Sequence, residues 1–183
     1  MRMFVAVRPP EPVLESLAAF VEPRRSEESA LRWTEPESWH ITLAFMADVP
    51  DADLDELLER LSDTAAAATG FELSLADAGA FPNPNRAKLL WTGVAGAVPL
   101  LAHLAANVRS ACNRAGITTA GGDYRPHLTL ARIGRPLNVT RWLQVFALYR
   151  SEPWLVRELV LYESSPGGGT HRYRPVAEFP LRA

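Results

Sequence analysis

The chain has 183 residues, of which 48% are apolar and 22% are charged, as in a folded globular protein of one or two small domains. Its net charge of −2 argues against a broad basic surface for long nucleic acids. The single cysteine, Cys112, excludes a disulfide framework and a cysteine-based metal site. The apolar start at 3–7 is too short for a signal peptide, and no later stretch approaches membrane-spanning length. We therefore expect a cytoplasmic protein.

Apolar periodicity predicts alternating strands and helices along the whole chain. A charged loop at 23–29 and the Pro-Asn-rich segment 81–85 interrupt the pattern. In chain order, the predicted elements are a strand at 2–8, a helix at 11–21, a strand at 31–34, a strand running to Met46, a helix around 54–61, strands at 71–76 and 87–94, a helix at 98–115, a strand around His127, a helix around 140–149, and strands at 155–160 and 171–179.

Two of these strands carry nearly the same sequence. One contains His40-Ile41-Thr42-Leu43, and the other contains His127-Leu128-Thr129-Leu130, 87 positions later. Side chains alternate between the two faces of a strand, so the histidine and threonine of each segment share one face while the aliphatic residues occupy the other. The chain has four histidines, and two of them lie in this pattern. The pattern therefore predicts two core strands that each present one imidazole and one hydroxyl.

The elements around the two histidine strands also repeat, at an offset close to 85 residues. In the second copy, the segment 117–120 corresponds to the strand 31–34. We therefore predict an α+β fold in one bilobal domain, 1–183. Two pseudo-symmetric lobes of antiparallel sheet, with outer helices, surround a central cleft. The intertwined lobes comprise about 2–81 and 87–163, and the C-terminal strand 171–180 joins the second lobe.

Two imidazoles that face each other across a cleft can divide acid and base work, because an unperturbed histidine titrates near pH ~6.5. Displacement at phosphorus needs a base on the attacking side and an acid at the leaving oxygen. The hydroxyls of Thr42 and Thr129 can donate hydrogen bonds to phosphate oxygens on which charge develops. This chemistry needs no metal and no cofactor.

The paired segments resemble the signatures of the two-histidine (2H) phosphoesterases, and among these the bacterial and archaeal RNA 2′,3′-cyclic phosphodiesterases, once described as 2′-5′ RNA ligases. The likeness extends over almost the whole chain. It includes the opening RMFVAV, the Phe81-Pro82 turn before Leu90-Trp91, the Arg125-Pro126-His127 approach and the closing RPVAEFPL at 174–181.

This resemblance implies hydrolysis of a cyclic phosphate at an RNA 3′ end to a 2′-phosphate. By the same resemblance, His40 protonates the leaving 3′-oxygen, His127 activates water, and Arg132 lies near the phosphate. A regular strand would point Arg132 away from His127, so we expect a bulge or the end of the strand to redirect it. We expect a monomer that acts on RNA 3′ ends or nucleotides carrying a 2′,3′-cyclic phosphate and that binds no membrane.

Other polar and aromatic residues are weaker candidates. Tyr124 is a candidate for base stacking, whereas Trp33 and Trp39 are expected in the core. His103 is expected on a solvated helix face, and the role of His171 is open. The glycines at 167–169 could cradle phosphate, although a hairpin loop is the simpler interpretation. The acidic residues at 51–56 fit a helix N-terminus and not a metal site.

Two alternatives remain open. The same site could hydrolyse a small cyclic phosphate, such as a nucleotide or an ADP-ribose derivative, which the slightly acidic composition allows. The chain could also be a non-catalytic module that binds the phosphate of RNA or a nucleotide. Intact histidine and threonine in both segments argue against the second alternative, because a pure binder would need only cations.

Overall fold

The computed structural model of the protein describes residues 1–167 and 170–183. In this part of the chain, four α-helices accompany nine strands that form one sheet. The helices are α1 (Glu11–Val21), α2 (Leu54–Ala67), α3 (Val98–Arg114) and α4 (Thr140–Phe146). The strands are β1 (Met3–Val7), β2 (Leu31–Trp33), β3 (Ile41–Met46), β4 (Phe71–Phe81), β5 (Ala87–Gly96), β6 (Leu128–Leu137), β7 (Trp154–Val156), β8 (Glu158–Gly167) and β9 (Thr170–Pro180).

The sheet is antiparallel and has the strand order β7-β4-β5-β6-β3-β1-β8-β9, with β2 paired to β6. The repeated strands are arranged symmetrically about the boundary between β6 and β3. Counting outwards from this boundary, β6, β5 and β4 on one side correspond to β3, β1 and β8 on the other. β3 and β6 meet there through one register pair, Ile41 opposite Leu128. The α+β fold class is therefore confirmed, whereas the lobe boundaries 2–81 and 87–163 with 171–180 stay a prediction.

The two faces of the sheet differ in what covers them. Along β1, Met3, Val5 and Val7 are buried in the large core that the helices also enter. Phe4, between them on the opposite face, belongs to a smaller cluster that includes Tyr162 of β8. This alternation follows from the period of two along a strand. The helices thus cover one face of the sheet, and the opposite face carries the aromatic cluster. No helix in the described residues is long and apolar enough to cross a membrane.

The structure corrects three expectations about secondary structure. No strand forms at 117–120 in the described chain, where one backbone bond to β3, from Ala120 N to Phe45 O (2.9 Å), takes the place of a ladder. The strand expected at 155–160 is divided at Arg157, because β7 pairs with β4 whereas β8 pairs with β1. Finally, β4 continues to Phe81, five residues beyond the expected end at 76. Tertiary pairing decided each case.

Gly79 of β4 provides a test of the packing beside β5. A Cβ at this position would lie 2.1 Å from Cζ2 of Trp91, so Gly79→Ala must displace the indole ring. We expect a loss of about 1–3 kcal/mol in the free energy of unfolding, the usual cost of overpacking. Urea unfolding followed by circular dichroism measures it.

Gly121→Ala is the matched control, because a Cβ at Gly121 meets nothing within 4 Å. Equal unfolding free energies for Gly79→Ala and the unmodified protein would show that Trp91 can move without cost.

Candidate active site

The two histidines lie at the boundary between β3 and β6, each one residue before its strand begins. Because the strands are antiparallel and pair at Ile41 and Leu128, continuing this register puts His40 beside Thr129 and Thr42 beside His127. All four side chains line one cleft of about 460 Å³, on the face of the sheet that carries Phe4. The structure therefore brings together the histidine and threonine pairs predicted from the sequence.

A backbone carbonyl orients each imidazole. Nδ1 of His40 lies 2.7 Å from the carbonyl oxygen of Ser38, and Nδ1 of His127 lies 2.6 Å from that of Arg125. A carbonyl oxygen only accepts hydrogen bonds, so Nδ1 carries the proton in both neutral rings. Nε2 is then the atom that can take up or give a proton. The same arrangement, a carbonyl two residues before the histidine, occurs twice.

Aromatic rings pack against both imidazoles. Phe4 stacks on His40 with ring centroids 4.5 Å apart, and Tyr173 of β9 contacts the same ring edge-on at 5.3 Å. Phe81 contacts His127 edge-on at 5.0 Å, with Trp91 at 6.0 Å. These contacts fix the ring planes and remove water from part of each ring.

Burial also shifts the titration of both histidines. It lowers the pKa of His40 to about 4, against the opposing hydrogen bond to the Ser38 carbonyl. The positive charges of His127, Arg132 and Arg8 lower the His40 pKa further. Burial likewise lowers the pKa of His127, although its bond to the Arg125 carbonyl opposes the shift. Both imidazoles of the ligand-free protein are therefore mainly neutral at pH 7.

The two threonines have different environments. The hydroxyl of Thr42 lies 3.0 Å from Nε2 of His40 and donates to it when the ring is neutral. The described residues provide no equivalent bond between Thr129 and His127. Instead, the hydroxyl of Thr34 is 2.9 Å from the carbonyl oxygens of both Thr129 and Leu130, and it accepts a bond from Nε1 of Trp39 at 2.7 Å. This chain of bonds ties the second histidine strand to the segment that precedes the first.

A β-bulge brings Arg132 into the cleft, which is one of the two possibilities expected from the sequence. Between β5 and β6, Leu90 pairs with Ala131 while Trp91 pairs with Thr129, so Leu130 is an extra residue. The extra residue changes the alternation, and Arg132 therefore lines the same cleft as Thr129.

β3 contains the matching bulge, because Val5 pairs with Ala44 and Ala6 pairs with Thr42, which leaves Leu43 extra. Phe45, 87 residues before Arg132, consequently also lines the cleft. The sequence analysis missed Phe45, although the repeat offset, applied to Arg132, would have identified it.

Tyr124 lies beside the cleft and lines an adjoining cavity of about 410 Å³, which Phe45 and His127 share. Its hydroxyl donates to the carbonyl oxygen of Thr42 at 3.0 Å, and burial raises the pKa of this hydroxyl. The guanidinium of Arg109 lies 5.6 Å from the centre of its ring. A base-stacking role for Tyr124 stays a prediction, now directed to this adjoining cavity.

The remaining candidates lie elsewhere. His103 is exposed on α3 and Trp39 is buried, both as expected. The side chain of His171, like Gly168 and Gly169 of the glycine loop, lies outside the described residues. No three His, Cys, Asp or Glu side chains in the described chain are grouped so as to hold a metal ion. The sequence analysis also missed Arg2 and Arg32, which line the cleft.

The shifted pKa of His40 makes stability depend on pH. The unfolded chain binds a proton at this histidine near pH 6.5, whereas the folded chain does so only near pH 4. Folded-state stability is therefore fully present above pH 6.5 and falls as the pH drops towards 4, by up to about 3 kcal/mol from His40. His40→Asn should remove this share of the acid sensitivity. Urea unfolding at pH 7, 5.5 and 4 measures it.

His103→Asn is the control and should keep the acid sensitivity of the unmodified protein. An unchanged loss of stability in His40→Asn between pH 7 and pH 4 would contradict the assigned effect of burial.

Comparison with known proteins identifies the family. The family model described as LigT-like phosphoesterase matches residues 7–91 and 94–170. A Geobacillus stearothermophilus protein named RNA 2′,3′-cyclic phosphodiesterase is 31% identical over 97% of this chain, which covers 56% of that protein's length. An Archaeoglobus fulgidus protein of the same name is 33% identical, with 74% of each chain covered.

Solved structures agree with these sequence matches. A crystal structure of a Thermus thermophilus protein has a TM-score of 0.81 and 25% identity and covers 100% of this chain and 98% of its own. Escherichia coli LigT in complex with 3′-AMP has a TM-score of 0.82 and 26% identity, with the same coverage. The chain belongs to the LigT-like phosphoesterases of the two-histidine superfamily, a family of hydrolytic enzymes.

Proposed function

We propose that this protein hydrolyses the 2′,3′-cyclic phosphate at RNA 3′ ends to a 2′-phosphate, by paired-histidine acid–base catalysis without a metal. The observation that carries the proposal is the pair of imidazoles in one cleft, each with Nδ1 fixed by a carbonyl oxygen. The relatives named RNA 2′,3′-cyclic phosphodiesterase support the substrate. The complex of E. coli LigT with 3′-AMP supports a ribonucleotide end as ligand.

In the proposed reaction, Nε2 of His127 takes a proton from water, and the water oxygen forms a bond to phosphorus. The bond between phosphorus and the 3′-oxygen breaks, and Nε2 of His40 gives its proton to that oxygen. The product is a 2′-phosphate with a free 3′-hydroxyl. Thr42, Thr129 and Arg132 stabilise the charge on the nonbridging oxygens. Proton exchange with solvent restores both histidines.

The low pKa of His40 fits an acid that acquires its proton together with the substrate. In the ligand-free protein, the His40 imidazole has a pKa of about 4, so it is neutral at pH 7 and has no proton on Nε2 to donate. A phosphate anion in the cleft favours the charged imidazolium and raises the pKa of both rings. Substrate binding should therefore lead to protonation of His40 at Nε2, which can then donate this proton to the leaving oxygen.

A small cyclic nucleotide is the second candidate substrate, because the cleft of about 460 Å³ can hold one nucleotide and the net charge is −2. In both cases the reaction and the site are the same. The cytoplasmic location and the monomeric state stay predictions.

Product analysis tests the proposed function directly. An oligoribonucleotide ending in a 2′,3′-cyclic phosphate is incubated with the protein in excess EDTA, and the end group is identified by mass spectrometry and phosphatase sensitivity. We expect a 2′-phosphate to form at the same rate with and without EDTA, because the proposed acid and base are both imidazoles. Activity that EDTA abolishes and Mn²⁺ or Zn²⁺ restores would refute the mechanism.

The division of labour between the histidines predicts different responses to the leaving group. His40→Ala should lose roughly 10²–10⁴-fold in kcat on the cyclic phosphate, because the 3′-oxygen then leaves without its acid. A nitrophenyl phosphodiester, whose leaving group needs no proton, should recover much of that loss. His127→Ala should stay impaired on both substrates, because water still lacks its base.

Steady-state kinetics on the two substrates measure this difference, and His103→Ala serves as the control. Equal recovery of both active-site variants by the nitrophenyl substrate would refute the assignment of acid and base. Unchanged kcat in both variants would leave the cleft as a binding site only.

A further inference from the structure

Two arginines face each other at one end of the cleft. Arg32 of β2 and Arg132 of β6 are directly opposite in the antiparallel register, and both line the cleft. Both side chains are exposed. Like charges at directly opposite positions of paired strands destabilise a sheet, so this arrangement has a cost in the ligand-free protein.

Acidic side chains do not offset that cost. Within residues 1–167 and 170–183, neither Arg32 nor Arg132 makes an ion pair. Two carboxylates close to Arg32 in sequence pair with other arginines, Glu35 with Arg25 at 3.4 Å and Glu27 with Arg141 at 3.1 Å. This end of the cleft therefore carries two uncompensated positive charges, although the chain as a whole has a net charge of −2.

One reacting phosphate does not account for both cations. A cyclic phosphate carries a single negative charge, and the hydroxyls of Thr42 and Thr129 already line its proposed position together with Arg132. Arg132 is also close enough to His40 for its positive charge to lower the pKa of that imidazole. β5 occupies one edge of β6 at Arg132, so Arg32 lies on the other edge, the one that β3 joins at Leu128, four residues earlier in β6. Its exposed side chain lines the cleft there and can receive a second anion.

We propose that Arg32 binds the phosphodiester joining the last two nucleotides of the RNA, while Arg132 serves the terminal cyclic phosphate. Cross-strand neighbours are separated by ~4.5–5.5 Å at Cα, and two extended guanidinium groups can span adjacent phosphates of one strand. The planar guanidinium suits two parallel hydrogen bonds to the nonbridging oxygens of a diester. The inference rests on the proposed function and selects an RNA strand over a free cyclic nucleotide as the substrate.

Three substrates test the proposal: adenosine 2′,3′-cyclic phosphate, the dinucleotide ApA ending in a 2′,3′-cyclic phosphate, and the same dinucleotide with a neutral methylphosphonate linkage. The readout is kcat/KM for each dinucleotide divided by kcat/KM for the mononucleotide. Arg32→Gln should lower this ratio about tenfold for ApA, as expected for loss of one charge-assisted bond at a partly exposed site. In the unmodified protein, the methylphosphonate linkage should lower this ratio by the same factor. In Arg32→Gln, the methylphosphonate linkage should lower the ratio little further.

Two further variants sharpen the comparison. Arg135→Gln removes the same charge from an exposed position of β6 that does not line the cleft, and it should leave all three rates unchanged. Arg2→Gln probes the opposite end, where the guanidinium of Arg2 lies 4.8 Å from the centre of the Phe45 ring. A fall in the ratio for Arg2→Gln without one for Arg32→Gln would assign the diester to that end and overturn the proposal.

The remaining outcomes are also decisive. If Arg32→Gln lowers all three substrates by one factor, Arg32 acts on the reacting phosphate and the second subsite does not exist. If the methylphosphonate linkage lowers the ratio as strongly for Arg32→Gln as for the unmodified protein, a residue other than Arg32 binds the linkage. Failure of the unmodified protein to turn over any substrate would refute the proposed function. Binding of ApA 3′-phosphate, with a salt dependence that Arg32→Gln reduces by about one charge, then tests the subsite alone.

Discussion

The pairing of β3 with β6 at a single position is the constraint on which the site depends. In the described residues, Ile41 opposite Leu128 is the one register pair between the two histidine strands. Both residues are buried, so their neighbours in each strand must face the cleft. A slip of one residue in either strand would turn a histidine and a threonine into the core together. Burial of these two aliphatic side chains therefore fixes the face on which both imidazoles lie.

Packing and electrostatics at the site are also linked. The rings of Phe4 and Phe81 hold the imidazoles in place, and the same removal of water lowers the pKa of both histidines. The carbonyl oxygens at Nδ1 oppose this shift and select the tautomer. The ligand-free cleft is thus neutral at its centre and positive at its rim. An anion is the ligand that such a site can hold while gaining a proton.

Much of this arrangement could be predicted from the sequence, because it follows from local patterns. The alternation in His-x-Thr and the repeat at 87 residues were enough to predict two facing strands. The family resemblance implied that Arg132 lies near the phosphate, and regular alternation would have turned it away, so a bulge or the end of the strand was expected there. In contrast, the division at Arg157 and the absence of a strand at 117–120 in the described chain depend on pairing partners that are distant in sequence. No local pattern contains that information.

Contacts between the two halves of the sheet likewise could not be predicted from the sequence. The bond from Trp39 to Thr34 and onward to the carbonyls of Thr129 and Leu130 joins segments 90 or more residues apart, and only the folded chain reveals it. The position of Arg32 could not be predicted either, because its place opposite Arg132 follows from the pairing of β2 with β6 and not from any repeat.

Small departures from symmetry make the two halves of the cleft chemically different. The matching bulges bring Phe45 into the cleft on one side and Arg132 on the other. Thr42 bonds to His40, whereas the described residues provide no such bond for His127. Phe4 lies face to face with His40, whereas Phe81 meets His127 through its edge. Two identical motifs therefore have unequal surroundings. An acid and a base acting at the same phosphorus must hold their protons at different stages of the reaction, so this inequality is what the proposed division of labour requires.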